Sequence, residues 1–304
     1  MQRTFQKDRS VGALVGLAVG DALGAQIEFK RKGTFPPVTD MAGGGPYDLP
    51  PGGWTDDTSM ALCLAESLIT CRGFDPVDQC ERYVRWWHEG HLSVKSYAFD
   101  IGVATSRALG RFESSGNPFS GGKDKMDAGN GSIMRLAPVS IFYASDFEKA
   151  IHFSGESSRT THSLRVCVDA CRLLGGMIAT AMAGGTREDL LYPTHLNFSD
   201  VEQDIRSIAE GEWRKKSYEE IEGTGFVVRS LEAAVWCFEN SKSFEEAVLM
   251  AVNLGDDADT TGAVCGQLAG AFYGFESIPK AWREQLMMQE EIVEMAIRLC
   301  DSGG

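Results

Sequence analysis

The chain has 304 residues, 43% of them hydrophobic, enough for a substantial core. Its 43 acidic residues outnumber 29 basic ones, giving a net charge of −14. Such a surface repels phosphate backbones, so nucleic-acid binding is excluded as a first reading.

In chain order, Arg3, Lys7 and Arg9 precede the apolar stretch "VGALVGLAVG". A secretory signal would run uncharged into a small-residue cleavage site, whereas this stretch meets Asp21 and continues as "DALGAQIEFK", which predicts a first core helix. Gly12, Gly16 and Gly20 recur every four residues and leave one helix face bare for the close approach of another helix. Residues 31–54, "RKGTFPPVTDMAGGGPYDLPPGGW", lack helical periodicity, and long loops of this kind in compact domains are usually functional. Apolar spacings of three and four predict helices over 58–71, 76–88, 100–109, 163–183, 200–210, 226–240, 243–253, 260–273 and 284–299. No run alternates with period two, and no linker or low-complexity tract interrupts the pattern. The expectation is an all-α protein: a single compact orthogonal multi-helix domain over 1–304, monomeric, with a metal site at helix N-termini.

Eight cysteines occur without a CxxC pair or close Cys–His spacing. Cys167 and Cys171, four apart in an apolar helical pattern, read as buried thiols of a reducing cytoplasm. No apolar run reaches the length needed to cross a bilayer, so no membrane insertion is expected.

Chemistry concentrates in two acid clusters. "VNLGDDADTTGAV", 252–264, sets Asp256, Asp257 and Asp259 beside Thr260 and Thr261 between two helical patterns. Helix N-capping accounts for one or two of these acids, because free N–H groups and the helix dipole attract negative charge. A hard divalent cation accounts for all of them. "GGWTDDTSMALCLAESL" repeats the arrangement with Thr55, Asp56 and Asp57. If the fold joins the two helix mouths, Thr55, Asp56, Asp57, Asp257, Asp259 and Thr260 offer oxygens for two octahedral cations with water positions left open.

Together, "GALVGLAVGDALG" with Glu28, the Gly-rich loop into "WTDDT", "DAGNGSIMRLAPV", "THS" and "GDDADTTGAVCGQLAGAFYG" resemble the ADP-ribosylglycohydrolases related to dinitrogenase reductase-activating glycohydrolase. The likeness runs from about Gly12 to Trp282. It implies an all-helical fold with a binuclear Mg²⁺ or Mn²⁺ centre that hydrolyses the N- or O-glycosidic bond of ADP-ribosylated protein. The family's metal ligands fall on Thr55, Asp56, Asp57, Asp257, Asp259 and Thr260. Asp256 stands where similar proteins often have glycine and is read as a neighbour of the cluster.

Cleaving a ribosyl bond builds oxocarbenium-like charge, and a carboxylate must move a proton while cations orient the sugar hydroxyls. Asp57 or Glu28 is the candidate base; Glu28 would otherwise read as a surface carboxylate, and the family's acid at this place promotes it. "DAGNGSIMR", 127–135, is a turn before an apolar helix whose N–H groups suit a diphosphate. Resemblance to the family's "GNG" loop makes Gly129, Asn130, Gly131 and Ser132 substrate contacts, with Arg135 as a structural ion-pair partner. His162 is read as a donor to a phosphate or ribose oxygen, against a buried satisfied histidine. His88, His91, His152 and His195 lack such a context, and Trp86 and Trp87 read as packing.

Asp100, in "FDIGVATSRAL", matches a guanidinium fork, and arginine-specific family members carry an acid in a similar setting. Helix capping is its alternative. Arg229 replaces an acid common in relatives and leaves the pocket near Phe226 open to question. ADP-ribosyl-serine, small ADP-ribose derivatives and metal-dependent nucleotide phosphohydrolysis are the competing activities. The last normally needs cations around the phosphoryl group, and apart from Arg135 the motifs supply none. A silent binding relative should have lost ligands, and all six are present.

Overall fold

A computed structural model describes residues 2–191 and 200–303, with side chains from residue 6 onward. The first half holds α1 (Gln2–Gly24), α2 (Asp56–Cys71), α3 (Pro76–Glu89), α4 (Val103–Ser115), α5 (Ala137–Phe142), α6 (Phe147–Ser158) and α7 (Arg165–Met182). The second holds α8 (Arg187–Leu191), α9 (Gln203–Ala209), α10 (Val227–Glu239), α11 (Phe244–Val252), α12 (Ala258–Tyr273), α13 (Lys280–Gln285) and α14 (Gln289–Ser302). Among the described residues no strand forms, only three isolated bridges. One continuous apolar core joins α1, α2, α5, α7, α10, α11 and α12, and no described helix is long and apolar enough to cross a membrane.

The glycine spacing of α1 decides the centre of the fold. A Cβ on Gly12, Gly16 or Gly20 would lie 2.3, 2.3 or 2.0 Å from the carbonyl oxygen of Gly270, Gly266 or Gly262 respectively. The two helices therefore run antiparallel with backbones in contact, which only glycine permits. Their pairing lays the end of α1, carrying Asp21, beside the beginning of α12.

Several boundaries differ from the periodicity. The helix expected over 100–109 starts at Val103, because Asp100 takes a left-handed φ of 63°. The run 284–299 divides into α13 and α14, with Met288 at φ 57°. There the backbone serves the long loop instead: the Met287 N–H donates to Gly52 and its carbonyl accepts from the Trp54 indole. Helix α6 lacked a sufficient apolar stripe to be expected, and the apolar helix expected after the 127–135 turn is the short α5.

Loop 31–54 is pinned along its length. Asn253 exchanges hydrogen bonds with the Val38 backbone, Gln26 and Gln285 donate to the carbonyls of Asp40 and Met41, and Gly45 packs against the Ala25 carbonyl.

Candidate active site

The mouth of α2 is held by a side chain from α1. Asp21, fully buried, accepts from the Thr55 N–H and hydroxyl (2.9 Å each) and from the Thr58 N–H and hydroxyl (3.0 and 2.6 Å). Burial nevertheless pushes its carboxyl up to about 6. Sequence reasoning missed this role; the signal was a lone aspartate in the apolar run "GLAVGDALG". With the turn satisfied from outside, Thr55 caps α2 without a side-chain bond, and Asp56 and Asp57 are released from capping.

At the other mouth Asp257 likewise caps α12 without a side-chain bond. The Phe29 N–H donates to the Asp256 carbonyl and the Asp256 N–H to the Lys30 carbonyl, both at 2.7 Å, which ties Glu28 to this turn. The two mouths meet. The Thr55 hydroxyl lies 3.2 Å from Asp259 and 3.4 Å from Asp57, and the Thr260 hydroxyl 3.4 Å from Asp57. Thr55 has one proton and Asp21 accepts it at 2.9 Å, so its contacts with Asp57 and Asp259 crowd oxygens together without a donor between them, while Thr260 donates to Asp57.

One oxygen each from Glu28, Asp257 and Asp259 lies within 4.8 Å of the others. Glu28 Oε2, Asp57 Oδ1 and Asp259 Oδ1 are buried with no hydrogen-bond partner. Burial, then Asp100, Asp257 and Asp21, push Glu28 up to about 9. Burial and the neighbouring acids raise Asp56, Asp57 and Asp259 well above the carboxylate range. Burial raises Asp257 too, against the hydrogen bond from Asn130. Orphaned oxygens in an all-oxygen set fit hard divalent cations, whose charge would restore ionisation.

These acids form one wall of a cavity of about 740 Å³. Glu28, Asp56, Asp257, Asp259 and Thr260 line it together with Asp100, Gly129, Asn130, Gly131 and His162. Asp57 is not among the lining residues, though its carboxylate meets the Thr55 and Thr260 hydroxyls of the cluster. Asp256 lines the cavity as a neighbour.

Also lining the cavity is a turn stitched to the start of α10: Asn130 N–H donates to Gly225 and Val227 N–H to Ala128. The N–H groups of Gly129, Gly131 and Ser132 have no acceptor within the described chain. The Asn130 side chain, expected on the substrate, donates to Asp257 at 2.7 Å. The Ser132 hydroxyl is buried 2.9 Å from that of Ser158, whose proton goes to the His162 carbonyl, so the Ser132 side chain belongs to the core and its N–H is what remains for the expected contact. The expected helix does not follow the turn directly, since α5 begins at Ala137. His162 sets its ring edge against the turn, where a Cβ on Gly131 would lie 2.9 Å from Cε1.

Asp100 does not cap α4, whose N-cap is Gly102. It accepts from the Tyr47 hydroxyl at 2.5 Å, and burial pushes it up to about 7. Tyr47, delivered by loop 31–54, was not anticipated. Arg229 pairs with Glu232 and Glu222 outside the cavity. Arg135 is not an ion-pair partner: it is fully buried and no described carboxylate lies within 4.0 Å. Trp86 is buried, Trp87 stacks on His88, and His88 and His91 pair with Glu113 and Glu66. His152 meets Phe153 edge to face, and His195 lies outside the described residues. Exposed Phe29, Val103 and Met126 also line the cavity.

A helical scaffold in which one cavity gathers carboxylates beside a glycine turn with free N–H groups suits a hydrolase. The ADP-ribosylglycohydrolase family profile matches residues 2–303, and the chain belongs to that family of glycosidases. It is 41% identical to the ADP-ribosylarginine hydrolase Tri1 of Serratia proteamaculans over 96% of this chain and 79% of that protein. It is 33% identical to the ADP-ribosyl-[dinitrogen reductase] glycohydrolase of Rhodospirillum rubrum over 93% and 92%. A solved structure described as an ADP-ribosylglycohydrolase-related protein complex superposes with a TM-score of 0.89 at 44% identity, covering 99% of this chain and all of the other.

Proposed function

We propose that this chain hydrolyses the ribosyl bond of ADP-ribosyl-arginine in modified protein, releasing ADP-ribose and the free side chain. The observation that carries the reading is Asp100, a half-buried carboxylate that lines the same cavity as the Gly129–Gly131 turn and accepts from the Tyr47 hydroxyl. A guanidinium suits a carboxylate because its planar fork makes charge-assisted bonds. The relatives named for ADP-ribosylarginine support the same choice.

Thr55, Asp56, Asp57, Asp257, Asp259 and Thr260 would hold two divalent cations, Mg²⁺ or Mn²⁺, with Glu28 at their edge. Bound there, the cations supply Lewis acidity and orient ribose hydroxyls. Gly129, Gly131 and Ser132 offer N–H groups to the diphosphate, and His162 donates beside them. Asp100 orients the guanidinium. Glu28 takes or returns a proton at the ribosyl carbon's attacking water, with Asp57 as the alternative base. All of this lies within one domain, acting as a monomer in a reducing cytoplasm, consistent with eight free cysteines.

Incubating the protein with ADP-ribosyl-arginine, ADP-ribosyl-serine and small ADP-ribose esters, with and without Mn²⁺, tests the reading. Mn²⁺-dependent release of ADP-ribose from the arginine linkage is expected. Faster cleavage of the serine linkage would replace the arginine assignment.

A further inference from the structure

Behind the donor wall lies a charged group that the reaction as described does not use. Arg135 is 0% exposed, its guanidinium rests 4.5 Å from the Tyr83 ring centre, and its Nε has no partner. Nη1 approaches the Met60 sulfur at 3.6 Å, and Nη2 donates to the Thr161 hydroxyl at 2.6 Å. A buried cation without a counter-ion is costly, and arginine cannot escape the cost by losing its proton.

The next bond in the chain runs from Thr161 Oγ1 to His162 Nδ1 at 2.8 Å. Arginine only donates, so Thr161 accepts from it and keeps its own single proton to give away. No other described acceptor takes that proton. It therefore goes to Nδ1, and the imidazole proton resides on Nε2. That nitrogen faces the turn, 3.3 Å from where a Cβ on Gly129 or Gly131 would stand. The His162 backbone is fixed as well, its N–H donating to the Ser158 carbonyl at 2.7 Å and its carbonyl accepting from the Ser158 hydroxyl at 2.8 Å.

We infer that Arg135 and Thr161 form a positioning relay that locks His162 as a neutral Nε2–H donor aimed at the Gly129–Gly131 turn. Arg135 acts on the ligand only through this chain and through its positive field. A positive charge behind the ring opposes a second proton on it, and burial, then Arg135, lower the imidazole to about 3. A histidine held this way donates a hydrogen bond but does not serve as a general acid. The relay rests on geometry alone, while its use in binding rests on the diphosphate assignment above.

The test is ¹⁵N NMR of histidine-labelled protein, with the His162 signals assigned by difference from His162→Gln. The wild type is expected to carry its proton on Nε2, with Nδ1 bare, from about pH 6 to about pH 8. Thr161→Val should mix the tautomers and weaken ADP-ribose binding about tenfold, the value of one hydrogen bond, while Thr161→Ser restores both. Cation-induced stabilisation should be unchanged in either variant. A wild-type signal with the proton on Nδ1, or a Thr161→Val protein that keeps the Nε2–H tautomer, overturns the relay. Mixed tautomers with unchanged ADP-ribose affinity support the relay and reject His162 as the ligand's partner. Should Thr161→Val not fold, the wild-type spectrum still decides.

Discussion

Helices α3, α6 and α11 begin with a side chain that caps their own first turn: Asp75 accepts from Val77 and Asp78, Asp146 from Lys149, and Ser243 from Glu246. Helices α2 and α12 also begin with acids and threonines, yet neither N-cap side chain accepts from the backbone N–H groups of its own turn. In the first group the acid is consumed locally. In the second, Asp21 satisfies α2 from a neighbouring helix, and the freed carboxylates converge on one another. An acid at a helix start that does not cap is available for something else, and the buried, partnerless oxygens of Asp57 and Asp259 suit the cations proposed above.

The sharpest way to break this contrast is to remove an acid from each group. Asp257→Ala should abolish turnover and the stabilisation by Mn²⁺ while circular dichroism stays helical, because the helices are packed by apolar faces. Wild-type turnover at limiting metal would remove α12 from the site. The next largest effect is expected at Asp100→Ala. Turnover of ADP-ribosyl-arginine should fall on the order of a hundredfold, the loss of a few kcal/mol of charge-assisted bonding, while the cation-induced rise in Tm persists. Asp100→Asn should fall between, and near-native turnover by the alanine variant would favour the serine linkage.

A third expectation follows from protonation. Glu28 moves from 4.5 to about 9 and Asp21 from 3.8 to about 6 on folding. Between those values the folded state binds more protons than the unfolded one, so without cations stability is greatest in acid and falls from about pH 4 to about pH 9. Mn²⁺ should flatten that fall, because cations favour the ionised acids. A thermal-melt series in which Mn²⁺ leaves the slope unaltered would count against the carboxylate cage. The smallest effect belongs to the ordinary cap: Asp75→Ala should cost about 1 kcal/mol in denaturant unfolding and leave turnover intact.

Much of this was legible in the residues. Apolar spacing located α2, α10, α11 and α12 because each buries a broad stripe, and Gly12, Gly16 and Gly20 foretold a backbone-to-backbone contact. Polar-faced α6 was missed because it repeats no apolar stripe for long enough, and six-residue α5 was foreseen only as the apolar helix after the glycine turn. The break at Met288 was hidden because its cause, the docking of Gly52 and Trp54, is a tertiary contact. At the site, the two acid clusters declared themselves by local crowding. Asp21, Tyr47 and the Arg135–Thr161 pair did not, since each acts on a partner at least 26 positions away or through one. Ser132 shows what a motif leaves out: its hydroxyl turns into the core, so only the backbone N–H of that residue is left for the contact its motif suggests.

The central claim is that the uncapped acids of α2 and α12 bind divalent cations, and calorimetric titration of metal-stripped protein with Mn²⁺ tests it most directly. Two ions bound per chain are expected, with protons released and Tm raised as free cation exceeds Kd, by about 2.7 kcal/mol of stability per site at a hundredfold excess. No binding heat and no shift in Tm at millimolar Mn²⁺ would contradict the account.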